Sequence, residues 1–380
     1  MKKHLLLILG MGLLISACSQ EKKTDSPNSN LLENLTVTID TLRVDVGEEL
    51  FIAGAYQKGQ ISPDGKRIYY EYSENQEIHE IDLDEMRLLT RHPLAKDGPD
   101  RAPQYVQGFQ LLPDNQFFML SQRMGGIYEL NGKKVESIPN QLAEIPGLEE
   151  LEGISYFPQI WISPDRTKLM AIPFKHGEWF LRLVVVDLPS QTGKLYKLPA
   201  LDITKDYQVR QEEKDMSITA GDNISSFLIN DQLAIGSTST AEFYLFDWKT
   251  DSLALIETTP RILLKQKSGA IRNLVTTQEE RWEVSRQLGK MVNYRDLFFD
   301  SSRQLYFRLA SQNARYDDQG RSLGFDTWLL SYDLDFKLTG EQHIKEVDKI
   351  PMNPFFKDGK LYSFTILEED PGFAVVEFKF

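Results

Sequence analysis

A tight turn that recurs along the chain places the strongest constraint on its fold. The first copy is Ser62-Pro63-Asp64-Gly65, which follows a short apolar run and precedes the β-branched and aromatic run Arg67–Tyr72. Proline and glycine favour the backbone angles of such a turn, and an Asp side chain can bond the backbone beyond it. Five later stretches share this character and its apolar flanks, namely 112–115, 163–166, 229–232, 300–303 and 356–359. The repetition predicts a series of similar β-hairpin units.

Each unit is predicted to contain four short strands. In the third unit these are Pro158–Ile162, Lys168–Pro173, Phe180–Asp187 and Lys194–Leu198. Several third strands end in an Asp that can bond the turn after it: Asp82, Asp187, Asp247 and Asp333. Repeated four-stranded units of this size are typical of β-propellers.

The two ends of the chain complement each other. The last unit stops one strand early after Phe373–Phe380, and the segment Leu35–Val44 is a predicted strand without a unit of its own. Pairing the two would leave no exposed strand edge at the seam of a ring. We therefore predict an all-β, six-bladed β-propeller over residues 35–380, closed by an N-terminal strand. A seven-bladed ring and a two-domain sandwich are the alternatives.

The first 18 residues predict export and lipid attachment. Lys2 and Lys3 precede the apolar run Leu5–Leu14, which is too short to span a bilayer. Ile15-Ser16-Ala17-Cys18 then resembles the lipobox of bacterial lipoproteins, in which the cysteine is acylated and becomes the mature N-terminus. Cys18 is the only cysteine, so no disulfide competes for its thiol. An ordinary secretory signal is the alternative.

Residues 19–34 are predicted to act as a polar tether. Ser19–Asn30 is polar and without periodicity, and twelve such residues reach about 18–20 Å. The resemblance to lipoproteins implies the cell envelope, and Ser19 after the cysteine favours the outer membrane. The net charge of −13 disfavours anionic headgroups and nucleic acid as partners, so membrane attachment is expected to come from the lipid.

The lipobox, the tether, the Ser-Pro-Asp-Gly turn and the ending Phe355-Phe356-Lys357-Asp358-Gly359-Lys360-Leu361-Tyr362 together resemble a family of Bacteroidota lipoproteins. This family is known as domain of unknown function 4221 and is placed among the six-bladed, TolB-like propellers. The resemblance covers essentially the whole chain. It implies a fold and an anchor, and it offers no catalytic residues to carry over.

Loop lengths predict which face of the propeller carries function. Turns between strands one and two, and between three and four, share one face and are short. The opposite face, which we call the insertion face, receives the long segments 94–104, 139–156, 199–224, 260–295 and 311–326. Long loops on a rigid scaffold are where binding residues collect.

The longest of these segments is predicted to contain a helix over Thr277–Val292. Thr276 and Thr277 each precede a Glu by three residues, as in a capping box. Val284, Leu288, Met291 and Val292 form one apolar stripe. The helix is expected to lie against its own propeller, and a lid or partner-docking helix is the alternative.

The chain contains no phosphate-binding loop, zinc or calcium signature, or nucleophile elbow, so we predict no catalytic residues, metal or cofactor. His79, His92, His176 and His343 lie in separate repeats. The candidate ligand contacts are polar or aromatic residues in the long loops: Arg101, Tyr105, His176, Glu178, Trp179, Arg272 and Trp282.

Two functional hypotheses follow. The first is a lipid-anchored, non-catalytic binding or sensing module whose insertion face meets a protein, peptide or glycan. The second is a propeller hydrolase or lyase, which would need at least two His, Asp or Glu side chains converging at the mouth of the central channel.

Overall fold

Six antiparallel sheets of four strands dominate the computed structural model, which describes residues 30–47, 59–154, 156–175, 177–213, 216–349 and 351–380. Strands are numbered along the chain, and sheets are numbered one to six. Sheet one contains β2–β5, sheet two β6–β9, sheet three β10–β13, sheet four β16–β19, and sheet five β21–β24. Sheet six is formed by β25–β27 together with the N-terminal β1.

The strands of the first three sheets have the following bounds: β2 (Gly59–Ile61), β3 (Arg67–Tyr72), β4 (Glu77–Asp82), β5 (Arg87–Pro93), β6 (Gly108–Leu111), β7 (Gln116–Leu120), β8 (Gly125–Glu129), β9 (Lys134–Ile138), β10 (Gln159–Ile162), β11 (Lys168–Ile172), β12 (Arg182–Asp187) and β13 (Thr192–Lys197).

The strands of sheets four to six have the following bounds: β16 (Ile224–Ile229), β17 (Gln232–Ser237), β18 (Thr240–Asp247), β19 (Ser252–Ile256), β21 (Asn293–Asp300), β22 (Leu305–Tyr316), β23 (Ser322–Tyr332), β24 (Leu338–Ile344), β25 (Met352–Lys357), β26 (Lys360–Leu367), β27 (Asp370–Lys379) and β1 (Thr36–Arg43).

The repeated turn has the geometry that the sequence predicts. Ser163 Oγ donates to Asp165 Oδ1 at 2.6 Å and accepts from Lys168 N at 2.9 Å, so one hydroxyl bridges both arms of the hairpin. Arg166 occupies the left-handed position at φ 59°, the place that Gly65 takes at φ 70° in the first copy. The Asp residues at the ends of third strands act as predicted. Asp187 accepts from Ser190, and these bonds lower its pKa to about 2.

The central strands bury both of their faces. Side chains alternate across a strand, so consecutive apolar residues point to opposite sides of a sheet. Tyr69 packs between sheets one and two, whereas Tyr70 packs between sheets one and six. Phe243 and Tyr244 diverge in the same way, toward sheets five and three. Continuous apolar runs therefore mark sheets that are covered on both sides.

Each sheet packs on the sheets before and after it. Apolar clusters join sheet one to two, two to three, three to four, four to five, and five to six. A further cluster joins sheet six to sheet one, where Phe364 and Phe373 meet Ile68 and Tyr70. Rings of Tyr70 and Phe364 lie 5.6 Å apart in a tilted arrangement.

The N-terminal strand completes sheet six. β1 pairs antiparallel with β27, from Thr36 opposite Lys379 to Arg43 opposite Gly372. The residues before it, which the sequence assigns to the tether, are fixed on sheet five. Asn30 exchanges two bonds of 2.9 Å with the backbone of Glu341, and Leu32 is fully buried. A flexible tether would therefore have to lie before Asn30.

The sequence predicts a long loop between sheets three and four, and this prediction is wrong. The segment folds into a 3-10 helix (Pro199–Tyr207) and two strands, β14 (Gln208–Glu213) and β15 (Met216–Gly221). β20 (Leu274–Val275) adds a parallel strand, which completes a small three-stranded sheet that we call the inserted sheet. Its alternating polar and apolar residues are too few to distinguish it from a loop by pattern alone.

Two other predicted loops are also structured. The predicted loop Ser311–Asp326 is mostly strand, because β22 and β23 continue as a hairpin whose turn is closed by Asp317, which accepts from Gln319 N and Arg321 N. The segment 139–156 contains two short 3-10 helices, Leu142–Glu144 and Glu149–Leu151. Leu142, Leu148 and Leu151 fill the cluster between sheets two and three.

The predicted helix is present as α1 (Gln278–Lys290). Thr277 caps it by accepting from Glu280 N at 3.2 Å, and the Glu280 carboxylate accepts from Thr276 N at 2.9 Å. Val284 and Leu288 are buried against Val209 and Val275. The helix thus lies on the inserted sheet of its own chain, close to the arrangement expected from its apolar stripe.

The anchoring of the N-terminal segment predicts a large effect of one buried leucine. Leu32→Ala should lower the free energy of unfolding by about 2–4 kcal/mol, because it leaves a cavity between sheets five and six. Leu31→Ala is the matched control, and it should change stability by less than about 0.5 kcal/mol because this side chain is largely exposed. Urea denaturation measures both. Equal effects of the two variants would contradict the packing of Leu32.

Candidate functional site

A cleft opens on the insertion face between sheet three and the inserted sheet. Its volume is about 290 Å³. One wall is formed by residues 172–175 and 178–181, in the connection between β11 and β12. The other is formed by Gln208 and residues 219–221 of the inserted sheet, with Pro158, Gln159 and residues 222–224 on the floor. We call this feature the cleft. It brings together the predicted residues Glu178 and Trp179.

Aromatic side chains form one wall of the cleft. Phe174, Trp179 and Phe180 all line it, and Phe174 meets Tyr156 edge-on at 6.0 Å. The Trp179 indole N–H donates to Asp202 Oδ1 at 2.9 Å, which fixes the ring to the 3-10 helix of the inserted segment. A ring held in this way offers a preorganised apolar surface.

Polar groups form the floor. Gln159 Nε2 donates to the backbone oxygen of Ile224, while Gln159 Oε1 is buried and has no hydrogen-bond partner among the described residues. Buried acceptors are normally satisfied, so this oxygen has the capacity to accept from a ligand or a water molecule. Asp222 and Asn223 lie beside it on the same floor.

A buried ion pair supports the floor from behind. Lys267 Nζ lies 2.6 Å from Asp222 Oδ1 and donates to Asn293 Oδ1 at 2.8 Å, and neither charged side chain is appreciably exposed. Ser239 Oγ donates to the other carboxylate oxygen of Asp222. Burial lowers the pKa of Lys267, and the neighbouring Asp222 opposes that shift. The pair joins sheet four, the inserted segment and sheet five.

At the mouth of the cleft, Glu178 pairs with Lys175 at 2.6 Å. Both side chains are substantially exposed, so this pair contributes little to stability. Arg210 of the inserted sheet donates to the backbone oxygen of Gly177 at 2.9 Å and links the two walls. His176, which the sequence also proposes as a ligand contact, lies outside the described residues.

The remaining predicted contacts are not part of the cleft. Arg101 and Tyr105 lie in the connection between sheets one and two, where Tyr105 is 77% exposed. Arg272 pairs with Glu280 at 3.0 Å beside α1, and Trp282 is half exposed on that helix. The structure therefore distributes the sequence-predicted residues over three parts of the insertion face.

His79 and His92 lie on neighbouring strands of sheet one, so the expectation of separate repeats is wrong for this pair, but the described histidines do not converge on one site. His79 stacks on Tyr72 at 4.4 Å, His92 contacts Glu80 at 2.9 Å, and His343 packs on Trp328. Within the described ranges, no three His, Cys, Asp or Glu side chains are placed to hold a metal ion.

Two carboxyl groups do lie on the first strand of sheet five, those of Asp296 and Asp300. Asp296 of β21 accepts from Ser225 of β16, and burial raises the pKa of Asp296, while Ser225, Arg308 and Arg295 oppose that shift. Arg308 is fully buried, and its guanidinium donates to the backbone oxygens of Arg295 and Ala241. The bond between Ser225 and Asp296 joins the first strands of sheets four and five, and Arg308 on β22 of sheet five reaches β18 of sheet four.

Sequence reasoning missed Gln159, Asp222 and Lys267. Gln159 is a single polar residue at the start of β10 between apolar neighbours, and Asp222 is separated from Lys267 by 45 residues. Lys267 gives no sequence signal of its burial, because its neighbours Gln266 and Ser268 are polar. Its partner could be found only in three dimensions.

The fold and the site define a mostly β protein built of four-stranded antiparallel sheets, with a cleft made by insertions on one face. A family model described as a domain of unknown function (DUF4221) matches residues 28–343. The chain belongs to this family. No curated protein matches the chain.

Solved structures show the same fold at low identity. A crystal structure of a DUF4221 family member from Bacteroides vulgatus ATCC 8482 is 15% identical, covers 91% of this chain and 98% of its own, and has a TM-score of 0.62. A Bacteroides fragilis NCTC 9343 protein, whose name describes it as exported, is 10% identical, covers 93% and 98%, and has a TM-score of 0.51. In the described residues, no helix is long and apolar enough to cross a bilayer.

The buried ion pair predicts a marked destabilisation when one partner is removed. Asp222→Asn leaves the Lys267 ammonium buried without a counter-charge and should lower the free energy of unfolding by about 3–5 kcal/mol at pH 7. Asp231→Asn removes the exposed partner of Lys249 and should leave stability nearly unchanged. Chemical denaturation compares the two variants.

The pH dependence gives this prediction a specific signature. Burial already places the folded pKa of Lys267 below its value in the unfolded chain, and loss of Asp222 lowers it further. Between the folded and unfolded pKa values the unfolded state holds the extra proton, so stability rises with pH there. The decrease in the free energy of unfolding caused by Asp222→Asn should therefore be smaller at pH 10 than at pH 7. An equal decrease at both pH values would contradict a charged pair of Asp222 and Lys267.

Proposed function

We propose that the protein is a lipid-anchored, non-catalytic binding module of the cell envelope, and that the cleft on its insertion face receives a protein, peptide or glycan. The observation that carries this proposal is the cleft itself. An aromatic wall faces a polar floor with an unsatisfied acceptor, Gln159 Oε1, and both are held by bonds between separate elements. Apolar surface with a few placed polar groups is typical of ligand sites.

The scaffold of the proposal is a six-bladed propeller closed by β1. In its support, residues from the first strands of all six sheets line one cavity of about 660 Å³: Gln60, Gln110, Trp161, Phe227, Asp300 and Phe355. Side chains also link neighbouring first strands, as when Gln110 donates to Ile162 O at 2.8 Å and Trp161 donates to Ser226 Oγ at 2.9 Å. An experimental density map that shows any other number of blades around this cavity would contradict a six-bladed ring closed by β1.

The direction of β1 supports an orientation relative to the membrane. Arg43, at the end of β1, pairs with Glu368 in the β26–β27 turn and with Asp370 at the start of β27, both on the insertion face. Thr36 therefore lies at the opposite face, and the chain before it runs along β24 of sheet five to Asn30, where a tether from Cys18 would begin. The lipid would hold the face with short turns toward the bilayer, and the cleft would point away from it.

Binding through the cleft predicts a loss of affinity when its aromatic wall is truncated. The whole chain, solubilised in mild detergent, would be tested against arrays of oligosaccharides and peptides and against purified envelope proteins. Trp179→Ala should weaken binding of the partner by roughly ten-fold or more, because a fixed aromatic surface is lost. Trp282→Ala, which truncates an exposed tryptophan outside the cleft, should leave affinity unchanged.

Two outcomes would contradict this proposal. One is a partner whose affinity is insensitive to Trp179→Ala while thermal denaturation shows that the variant is folded. The other is turnover of a bound substrate, which would favour a hydrolase or lyase instead.

Lipid attachment predicts a specific requirement for Cys18, which lies outside the described residues. Cys18→Ala should abolish incorporation of a labelled fatty acid and release the protein from the membrane fraction, because two or more acyl chains are needed for stable anchoring. Ser19→Ala should retain the label. Membrane association of Cys18→Ala without label would contradict the anchor. Fractionation of inner and outer membranes tests the outer-membrane assignment that Ser19 favours.

A further inference from the structure

A second recess on the insertion face has an unusual charge. It lies between α1 and the β22–β23 hairpin and has a volume of about 890 Å³. Its lining includes the cations Arg272, Arg286, Lys290 and Arg315, against one carboxylate, Glu283. We call it the basic groove. The chain as a whole carries a net charge of −13, so this concentration of positive charge is opposite in sign to the charge of the whole protein.

Two of the four cations have no internal partner. Neither Arg286 nor Lys290 makes an ion pair or a side-chain hydrogen bond with any described residue. They are four residues apart on one helix, so their side chains are neighbours. The other two cations form exposed pairs, Arg272 with Glu280 at 3.0 Å and Arg315 with Asp326 at 2.6 Å. Pairs of this kind are weak, so an incoming anion can compete for the guanidinium groups.

The walls of the groove are rigid. The helix is capped at Thr277 and buries Val284 and Leu288, and the hairpin turn is closed by Asp317. Gly289 brings the two walls together, because a Cβ there would lie 2.3 Å from Tyr316 Oη. Cations on fixed elements lose less freedom on binding than cations on mobile loops do.

We propose that the basic groove binds an acidic oligosaccharide, one that carries carboxylate or sulfate groups. Arginine side chains match the planar geometry of these groups through bidentate hydrogen bonds. Glu283 and Gln287, which also line the groove, can accept hydrogen bonds from sugar hydroxyls. The Tyr316 ring offers a surface for the apolar face of a sugar.

The other anionic partners fit the groove less well. A nucleic acid or another long polyanion would extend beyond the groove onto a surface of like charge. The Glu283 carboxylate would repel a densely charged phosphate ligand. A sugar acid instead has hydroxyls that can donate hydrogen bonds to this carboxylate. A lipid headgroup would require the insertion face to meet the bilayer, whereas the direction of β1 places that face away from it. This last point rests on the proposed function.

The test uses the whole chain in mild detergent and titrates it calorimetrically with defined ligands. The probes are a hyaluronan tetrasaccharide and a chondroitin sulfate tetrasaccharide, with uncharged chitotetraose as the neutral counterpart. The double variant Arg286→Ala/Lys290→Ala should weaken binding of the acidic probes by roughly ten-fold or more, since each lost charge-assisted contact is significant. Affinity should also fall as salt is raised.

The matched control removes two exposed positive charges elsewhere. Lys133→Ala/Lys345→Ala changes the net charge by the same amount and should leave affinity within about two-fold. Equal weakening by both double variants would show a non-specific charge effect and overturn the site. The site would also be overturned if neither acidic probe binds, or if anionic vesicles or a poly-glutamate peptide bind in place of these probes. Trp179→Ala separates the two proposals, because it should impair a ligand of the cleft and leave saccharide binding at the basic groove intact.

Discussion

The burial of both faces of each four-stranded sheet is the constraint on which the rest of the structure depends. A sheet with apolar side chains on both faces must be covered twice, and each sheet here is covered by the sheets before and after it in the chain. Tyr69 and Tyr70 show the consequence within a single strand, since each belongs to a different core. An end sheet would leave one such face exposed to water, and the packing of sheet six on sheet one removes that cost.

The insertions use this rigid frame as a base. The inserted sheet and α1 are small and could not bury an adequate core alone, but they pack together and are joined to sheets four and five by the pair of Asp222 and Lys267. Such a pair is costly to desolvate and contributes more to fixing the arrangement than to net stability. Both recesses of the insertion face, the cleft and the basic groove, have walls made by this second layer.

The two recesses differ in chemistry, and that difference suggests separate roles. The cleft combines fixed aromatic rings with polar groups and one exposed ion pair, whereas the basic groove presents four cations, two of them without an internal partner. Both are formed on the face opposite to the start of β1. The proposed anchor would present both sites to the same side, where each could bind its own ligand.

The sequence by itself determined the repeat, the strands and the pairing partner of the N-terminal segment, because turn residues and apolar alternation are local signals. It also indicated the insertion face and placed Glu178 and Trp179 in the right loop. Only the tertiary structure decided that the segment 199–224 forms a sheet, that 311–326 forms a hairpin, and that Gln159, Asp222 and Lys267 meet. These outcomes depend on contacts between distant residues, and a short polar segment carries no periodicity strong enough to reveal them.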